Sequence, residues 1–80
     1  MNTATVIERY IVDEIMVGGK DTKLDLDQSL ISSGIVDSLA LLRLIAFMEE
    51  RFGVTIEDDE VVPENFETIN VMKYLIERKL

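Results

Sequence analysis

An almost continuous apolar stretch limits most strongly what this chain can fold into. Residues 39–48 are all apolar except Arg43. Asp37 stands just before the stretch as a favourable N-cap residue, and Gly53 follows it where a glycine commonly ends a helix. We therefore predict a helix over residues 38–51. A surface helix needs only one apolar stripe, so this one has more apolar surface than a small core can cover, and we expect part of it to be exposed.

A four-residue recurrence of apolar side chains predicts a first helix over residues 5–16. Thr5 and Glu8 have the spacing of a capping box, in which each side chain satisfies a free backbone donor. Gly18 and Gly19 then stop the helix. The recurring positions are Ile7, Ile11 and Ile15.

A closing helix is predicted over residues 69–79, with Thr68 as its N-cap. Its apolar positions are Val71, Met72, Leu75 and Ile76. Residues 63–66 fit one short turn of helix that begins at Pro63. The predicted fold class is all-α: a small four-helix bundle with three longer helices and one short helix, in a single domain over residues 1–80.

A long polar connection, KDTKLDLDQSLISSG, joins the first two helices. Four apolar residues within it are expected to fasten the loop over the core: Leu24, Leu26, Leu30 and Ile31. Long connections in small domains commonly carry or frame a site. The spaced acids resemble a calcium loop, but Leu30 stands where an EF-hand requires glycine, so no metal site is predicted.

Composition excludes several classes of function. The 80 residues contain no cysteine and no histidine, so disulfides, the usual zinc sites and the usual general base are missing. Sixteen acidic and eight basic residues give a net charge of −8, which disfavours nucleic acid and anionic membranes, although solubility alone explains the sign equally well. The sequence offers neither a signal peptide nor a membrane span, and a cytoplasmic monomer is the expectation.

Ser38 lies where the acidic chain turns apolar, with no histidine to activate its hydroxyl. At the start of a helix, free N–H groups and the helix dipole favour an anion, so a phosphate on this oxygen would be stabilised. Asp37 caps the helix and could help recruit a metal-bearing modifying enzyme. The alternative is that Asp37 and Ser38 are only capping residues, the commonest reason for such a pair.

The stretch GIVDSLALLRLIAFMEERFGVTI resembles the modification site of the acyl carrier protein family, with Asp37, Ser38 and Leu39 as its Asp-Ser-Leu motif. The resemblance covers essentially the whole chain. It implies that a phosphopantetheinyl transferase attaches 4′-phosphopantetheine, taken from coenzyme A, to Ser38. It also implies a protein that is not itself an enzyme, and that carries acyl or aminoacyl groups as thioesters on the thiol of this cofactor.

The resemblance implies that the second helix contacts partner enzymes. Fatty-acid carriers have acids two and five residues after the serine, but here these positions are Ala40 and Arg43. Asp37 matches an acid that the family uses. The exposed apolar residues expected there are Leu39, Leu42 and either Ile45 or Ala46, and the predicted docking residues are Leu42, Arg43, Glu49 and Glu50.

Three functions remain open on the sequence. The first is an acyl carrier for enzymes of fatty-acid, polyketide or related secondary metabolism. The second is a free-standing peptidyl or aminoacyl carrier that an adenylating ligase loads. The third is an acidic helical adaptor that binds a partner and is never modified.

Overall fold

A computed structural model describes residues 2–16 and 23–80. These residues are helical or irregular and contain no strand, which confirms the all-α class. The four-helix count is not confirmed, because the segment predicted as the short helix forms only a 3₁₀ turn. The predicted stop at Gly18 and Gly19 lies outside the described residues. The elements are α1 (Thr3–Tyr10) continuing into a π-helical turn (Ile11–Ile15), α2 (Ser38–Phe52), 3₁₀ turns at Asp58–Glu60 and Pro63–Asn65, and α3 (Ile69–Glu77).

The start of α1 differs from the prediction. Asn2 is the N-cap, and its side-chain oxygen accepts a hydrogen bond from the Thr5 amide at 2.8 Å. The predicted capping box of Thr5 and Glu8 is therefore wrong. Glu8 instead accepts a hydrogen bond from the Leu24 amide at 3.0 Å. The local pattern assigned the Glu8 carboxylate to the helix end, but it binds an amide that lies 16 residues later in the chain.

Both ends of α2 agree with the sequence prediction to within one residue. Asp37 caps it by accepting a hydrogen bond from the Ala40 amide at 2.8 Å. Gly53 ends it in the left-handed region with φ of 68°, which costs a glycine little. One row of α2 faces inward with i, i+4 spacing, namely Ala40, Leu44 and Met48.

The core lies between α1, α3 and the inner row of α2. Thr68 caps α3 as predicted, accepting from the Val71 amide at 3.1 Å. Among the four apolar residues of the long connection, Leu24 and Leu30 are buried as predicted and Ile31 is half-buried. The prediction for Leu26 is wrong, because its side chain is 40% exposed; instead its backbone oxygen accepts from the Asn70 amide at 3.0 Å.

Candidate functional site

Ser38 is the first residue of α2 and is exposed to solvent. The first amides of a helix have no acceptor one turn earlier, so they are available to an anion unless a cap uses them. The Asp37 carboxylate uses the Ala40 amide, which leaves the amides of Ser38 and Leu39 beside the hydroxyl. The hydroxyl is therefore accessible to a modifying enzyme and lies where a phosphate is stabilised.

A groove of about 400 Å³ opens beside Ser38. One wall is formed by the loop before α2, here called the loop wall, which contributes Ile31, Gly34 and Val36. A second wall, here called the valine wall, consists of Val61, Val62 and Pro63. The rest of the lining comes from α2 and its cap, with Asp37, Ser38 and Leu41. The groove is mostly apolar and suits an uncharged chain better than a charged group.

Glu67 holds the loop wall in place. Its Oε2 atom accepts hydrogen bonds from the Ser29 hydroxyl at 2.5 Å and from three successive amides at 3.0 to 3.2 Å, those of Leu30, Ile31 and Ser32. Its Oε1 atom accepts from the Ser32 hydroxyl at 2.9 Å. The Ser29 hydroxyl first, and then the Ser32 amide and hydroxyl, lower the pKa of Glu67 to about 2 by stabilising the carboxylate.

The valine wall is held differently. Val61 and Val62 are 36% and 37% exposed. The preceding Glu60 pairs with Lys79 at 2.6 Å, and its backbone oxygen accepts from the Asn65 side chain at 2.8 Å. The hydrogen bond from Lys79 lowers the pKa of Glu60 below its usual value. A partly exposed ion pair therefore connects the residue before this wall to Lys79, two residues after α3.

The outer face of α2 is apolar close to Ser38. Leu39 is 70% exposed and Leu42 is 64% exposed, which agrees with the expected excess of apolar surface. Arg43 is exposed too, and its guanidinium donates to the Glu14 carbonyl at 3.2 Å, so it also ties α2 to the end of the first helix. The same face continues through the exposed Ala46, whereas Ile45 is half-buried.

The two glutamates predicted to dock partners lie in different environments. Glu50 is exposed and lines a shallow recess with Tyr10 and Arg43. Glu49 is half-buried, and its carboxylate accepts from the Ile56 amide at 2.9 Å. This bond fixes the segment that follows α2, so Glu49 has a role within the fold. Docking by all four residues, Glu49 included, stays a prediction.

Comparison with known proteins defines the class. Residues 6–73 match the family described as phosphopantetheine attachment site. The chain is 36% identical over 74 residues to an acyl carrier protein of Chlamydia trachomatis serovar D, covering 91% of each chain. It is 31% identical over 65 residues to a D-alanyl carrier protein of Lactobacillus delbrueckii subsp. bulgaricus, covering 80% of this chain and 81% of the relative.

A solved structure titled "Structure of KstB-PCP(apo)" superposes with a TM-score of 0.72 at 36% identity, covering 95% of this chain and 84% of that one. The chain belongs to the phosphopantetheine-binding carrier proteins, which confirms the resemblance to the acyl carrier family. Its cofactor is 4′-phosphopantetheine. The names of the matched proteins include both an acyl carrier and a D-alanyl carrier. They therefore define the class of protein and leave the cargo of this chain open.

The residues present fit this cofactor. An exposed hydroxyl lies at the start of α2, where the first amides of a helix favour a phosphate, and a mostly apolar groove adjoins it. Within residues 2–16 and 23–80, no helix is both long enough and apolar enough to cross a membrane.

Sequence reasoning missed both Glu67 and the valine wall. Glu67 contacts residues that lie 35 to 38 positions earlier in the chain, and no local spacing indicates such a contact. For the valine wall, the sequence shows two adjacent valines before its single proline. This signal is weak, because the two valines lie in neither a helix nor a strand.

Proposed function

We propose that this chain is an acyl carrier protein whose 4′-phosphopantetheine is attached to Ser38. In this proposal residues 1–80 act as a single carrier domain that delivers acyl intermediates to enzymes of fatty-acid, polyketide or related secondary metabolism. The exposed Ser38 hydroxyl at the start of α2, beside an apolar groove, is the observation on which the proposal depends. A cytoplasmic, monomeric state remains the prediction made from the sequence.

The chemistry at Ser38 is a transfer that the chain does not catalyse. The serine oxygen bonds to the phosphorus on the pantetheine side of coenzyme A, the adenosine half leaves with the other phosphate, and a base of the transferase takes the serine proton. The amides of Ser38 and Leu39 stabilise the resulting phosphodiester anion. Once attached, the cofactor supplies the thiol that holds cargo as a thioester.

An aminoacyl or peptidyl carrier is the second candidate. It is supported by the similarity to a D-alanyl carrier protein and by Arg43, which stands where fatty-acid carriers have an acid. Arg43 gives the outer face of α2 a positive charge beside exposed leucines. We therefore expect a partner surface that pairs an apolar recess with a carboxylate rather than with lysine or arginine.

Intact-mass measurement tests the attachment. The chain is incubated with coenzyme A and a phosphopantetheinyl transferase of broad specificity. We expect one phosphopantetheinyl addition on the wild type and none on Ser38→Ala, while Thr55→Ala, which removes an exposed hydroxyl from the segment after α2, is modified normally. A folded wild type that gains no mass contradicts the proposal and leaves the unmodified adaptor.

Loading experiments then separate the two kinds of carrier. The modified protein is offered to malonyl or acyl transferases and, separately, to adenylating ligases with amino acids. Mass spectrometry of the thioester identifies the cargo. Loading by a transferase supports the acyl carrier, and loading by a ligase supports the aminoacyl carrier.

A further inference from the structure

The Glu67 side chain joins the start of α3 to the loop that leads into α2. One carboxylate receives hydrogen bonds from four consecutive residues of this loop, 29–32. Three of these donors are successive backbone amides, so the carboxylate fixes the path of the main chain and does more than pair with two serine side chains. A carboxylate bound in this way is a strong local restraint, because hydrogen bonds to a charged acceptor are stronger than those between neutral groups.

A short series of bonds connects Glu67 to Ser38. The Leu30 amide also donates to the Glu67 backbone oxygen at 2.8 Å, and the Leu30 oxygen accepts from the Val36 amide at 2.9 Å. Val36 is buried, and Asp37 and Ser38 follow it directly. The hydrogen bond between the Val36 amide and the Leu30 oxygen thus closes residues 30–36 into a loop. Glu67 binds the first residue of this loop, Leu30.

We propose that Glu67 is a positioning residue for the modification of Ser38: it holds the loop wall in the conformation that presents the serine and the groove to the transferase. The inference rests on the function proposed above. Glu67 does not touch Ser38, so it acts through residues 29–36. Two fully buried side chains, Leu30 in the loop and Phe66 next to Glu67 in sequence, belong to the core, and we expect them to stay buried without the carboxylate. Removing the carboxylate should therefore loosen the loop more than it unfolds the protein.

The experiment measures kcat/KM of a broad-specificity phosphopantetheinyl transferase for the apo form of each variant at 25 °C. Glu67→Ala removes all the side-chain hydrogen bonds. Glu64→Ala is the matched control, because Glu64 is an exposed glutamate three residues earlier. Ile76→Val is the stability control: it removes one methylene from a fully buried side chain of α3, away from the loop.

A second variant provides the same test if the Glu67→Ala protein does not fold. The double substitution Ser29→Ala with Ser32→Ala removes the two hydroxyl donors and leaves the three backbone amides to the carboxylate. Circular dichroism and a thermal melt establish which variants are folded at the assay temperature.

We expect kcat/KM to fall about tenfold for Glu67→Ala, the loss that corresponds to one hydrogen bond to a charged group. The double serine variant should show a smaller loss, and the two controls should stay within about twofold of wild type. If Glu67→Ala is unfolded, the double serine variant decides by the same criterion.

Two results overturn the inference. One is wild-type kcat/KM in the folded variants that lack the Glu67 contacts. The other is an equal loss in Ile76→Val, which would make the effect one of stability alone. A wild-type chain that is not modified at all refutes the proposed function itself, and the inference falls with it; modification of wild type and variants at equal rates refutes only the role of Glu67.

Discussion

The two walls of the groove beside Ser38 have similar apolar character but are held by different means. The loop wall has Leu30 fully buried beneath it and the Glu67 carboxylate bound along its backbone. The valine wall has its two valines more than one-third exposed and is held by short-range hydrogen bonds within residues 58–65 and by the ion pair between Glu60 and Lys79. One wall of the groove is therefore part of the folded core, whereas the other lies on the surface, and we expect that it can change with little effect on the fold.

Shortening one side chain in the region of each wall should give the largest difference between the walls, measured as the loss in the free energy of unfolding. Leu30→Ala leaves a cavity under the loop wall, and we expect a loss of about 2–5 kcal/mol in the free energy of unfolding. Val62→Ala removes apolar surface that is already partly exposed, so its cost should stay below about 1 kcal/mol. Urea unfolding of both variants gives the comparison, and equal losses would show that the walls are not held differently.

The pH dependence of stability should reveal the carboxylate of the loop wall. The pKa of Glu67 is lowered from 4.5 to about 2 in the folded chain, so its contribution is fully present above pH 4.5 and is lost as the pH falls through about 2. Thermal melts between pH 2 and pH 7 should show a decline at low pH that is shallower in Glu67→Gln, because glutamine does not titrate. A decline of the same steepness in both proteins would contradict this assignment.

The smallest effect is expected at the valine wall. Glu60→Gln weakens the pair with Lys79, and since exposed ion pairs contribute little to stability, we expect only a slight change in melting temperature. The local consequence should be larger mobility: NMR order parameters of Val61 and Val62 should fall, while those of Ile31 and Ser32 stay unchanged. Glu64→Gln is the control, and an equal fall on both walls would remove the distinction between them.

The sequence predicts α2 well because its signals are local and agree with one another. Asp37, the apolar run and Gly53 indicate the same start and end, and no distant residue competes for the cap. The exposed leucines followed from the same reasoning, because one helix held more apolar residues than its inward row could bury.

Elsewhere a contact between distant residues decided the outcome. Glu8 had the right spacing to cap α1 but binds the Leu24 amide, and Asn2 caps the helix instead. Leu26 is apolar, yet its side chain is partly exposed to solvent. Its contact with the rest of the fold is made by its backbone oxygen, which accepts from the Asn70 amide. Glu67 looked like an ordinary glutamate before a helix cap, and only the folded chain shows that it binds the loop before Ser38.

The two rows of α2 have a consequence for evolution and for engineering. Ala40, Leu44 and Met48 face inward and must keep their volumes for the chain to fold, whereas Leu39 and Leu42 face outward and are free of that constraint. In the docking role predicted for the outward row, related carriers can diverge in the enzymes they serve by changing that row alone. Under that prediction, a designer would exchange these surface leucines to redirect the carrier to another pathway and would leave the inward row as it is.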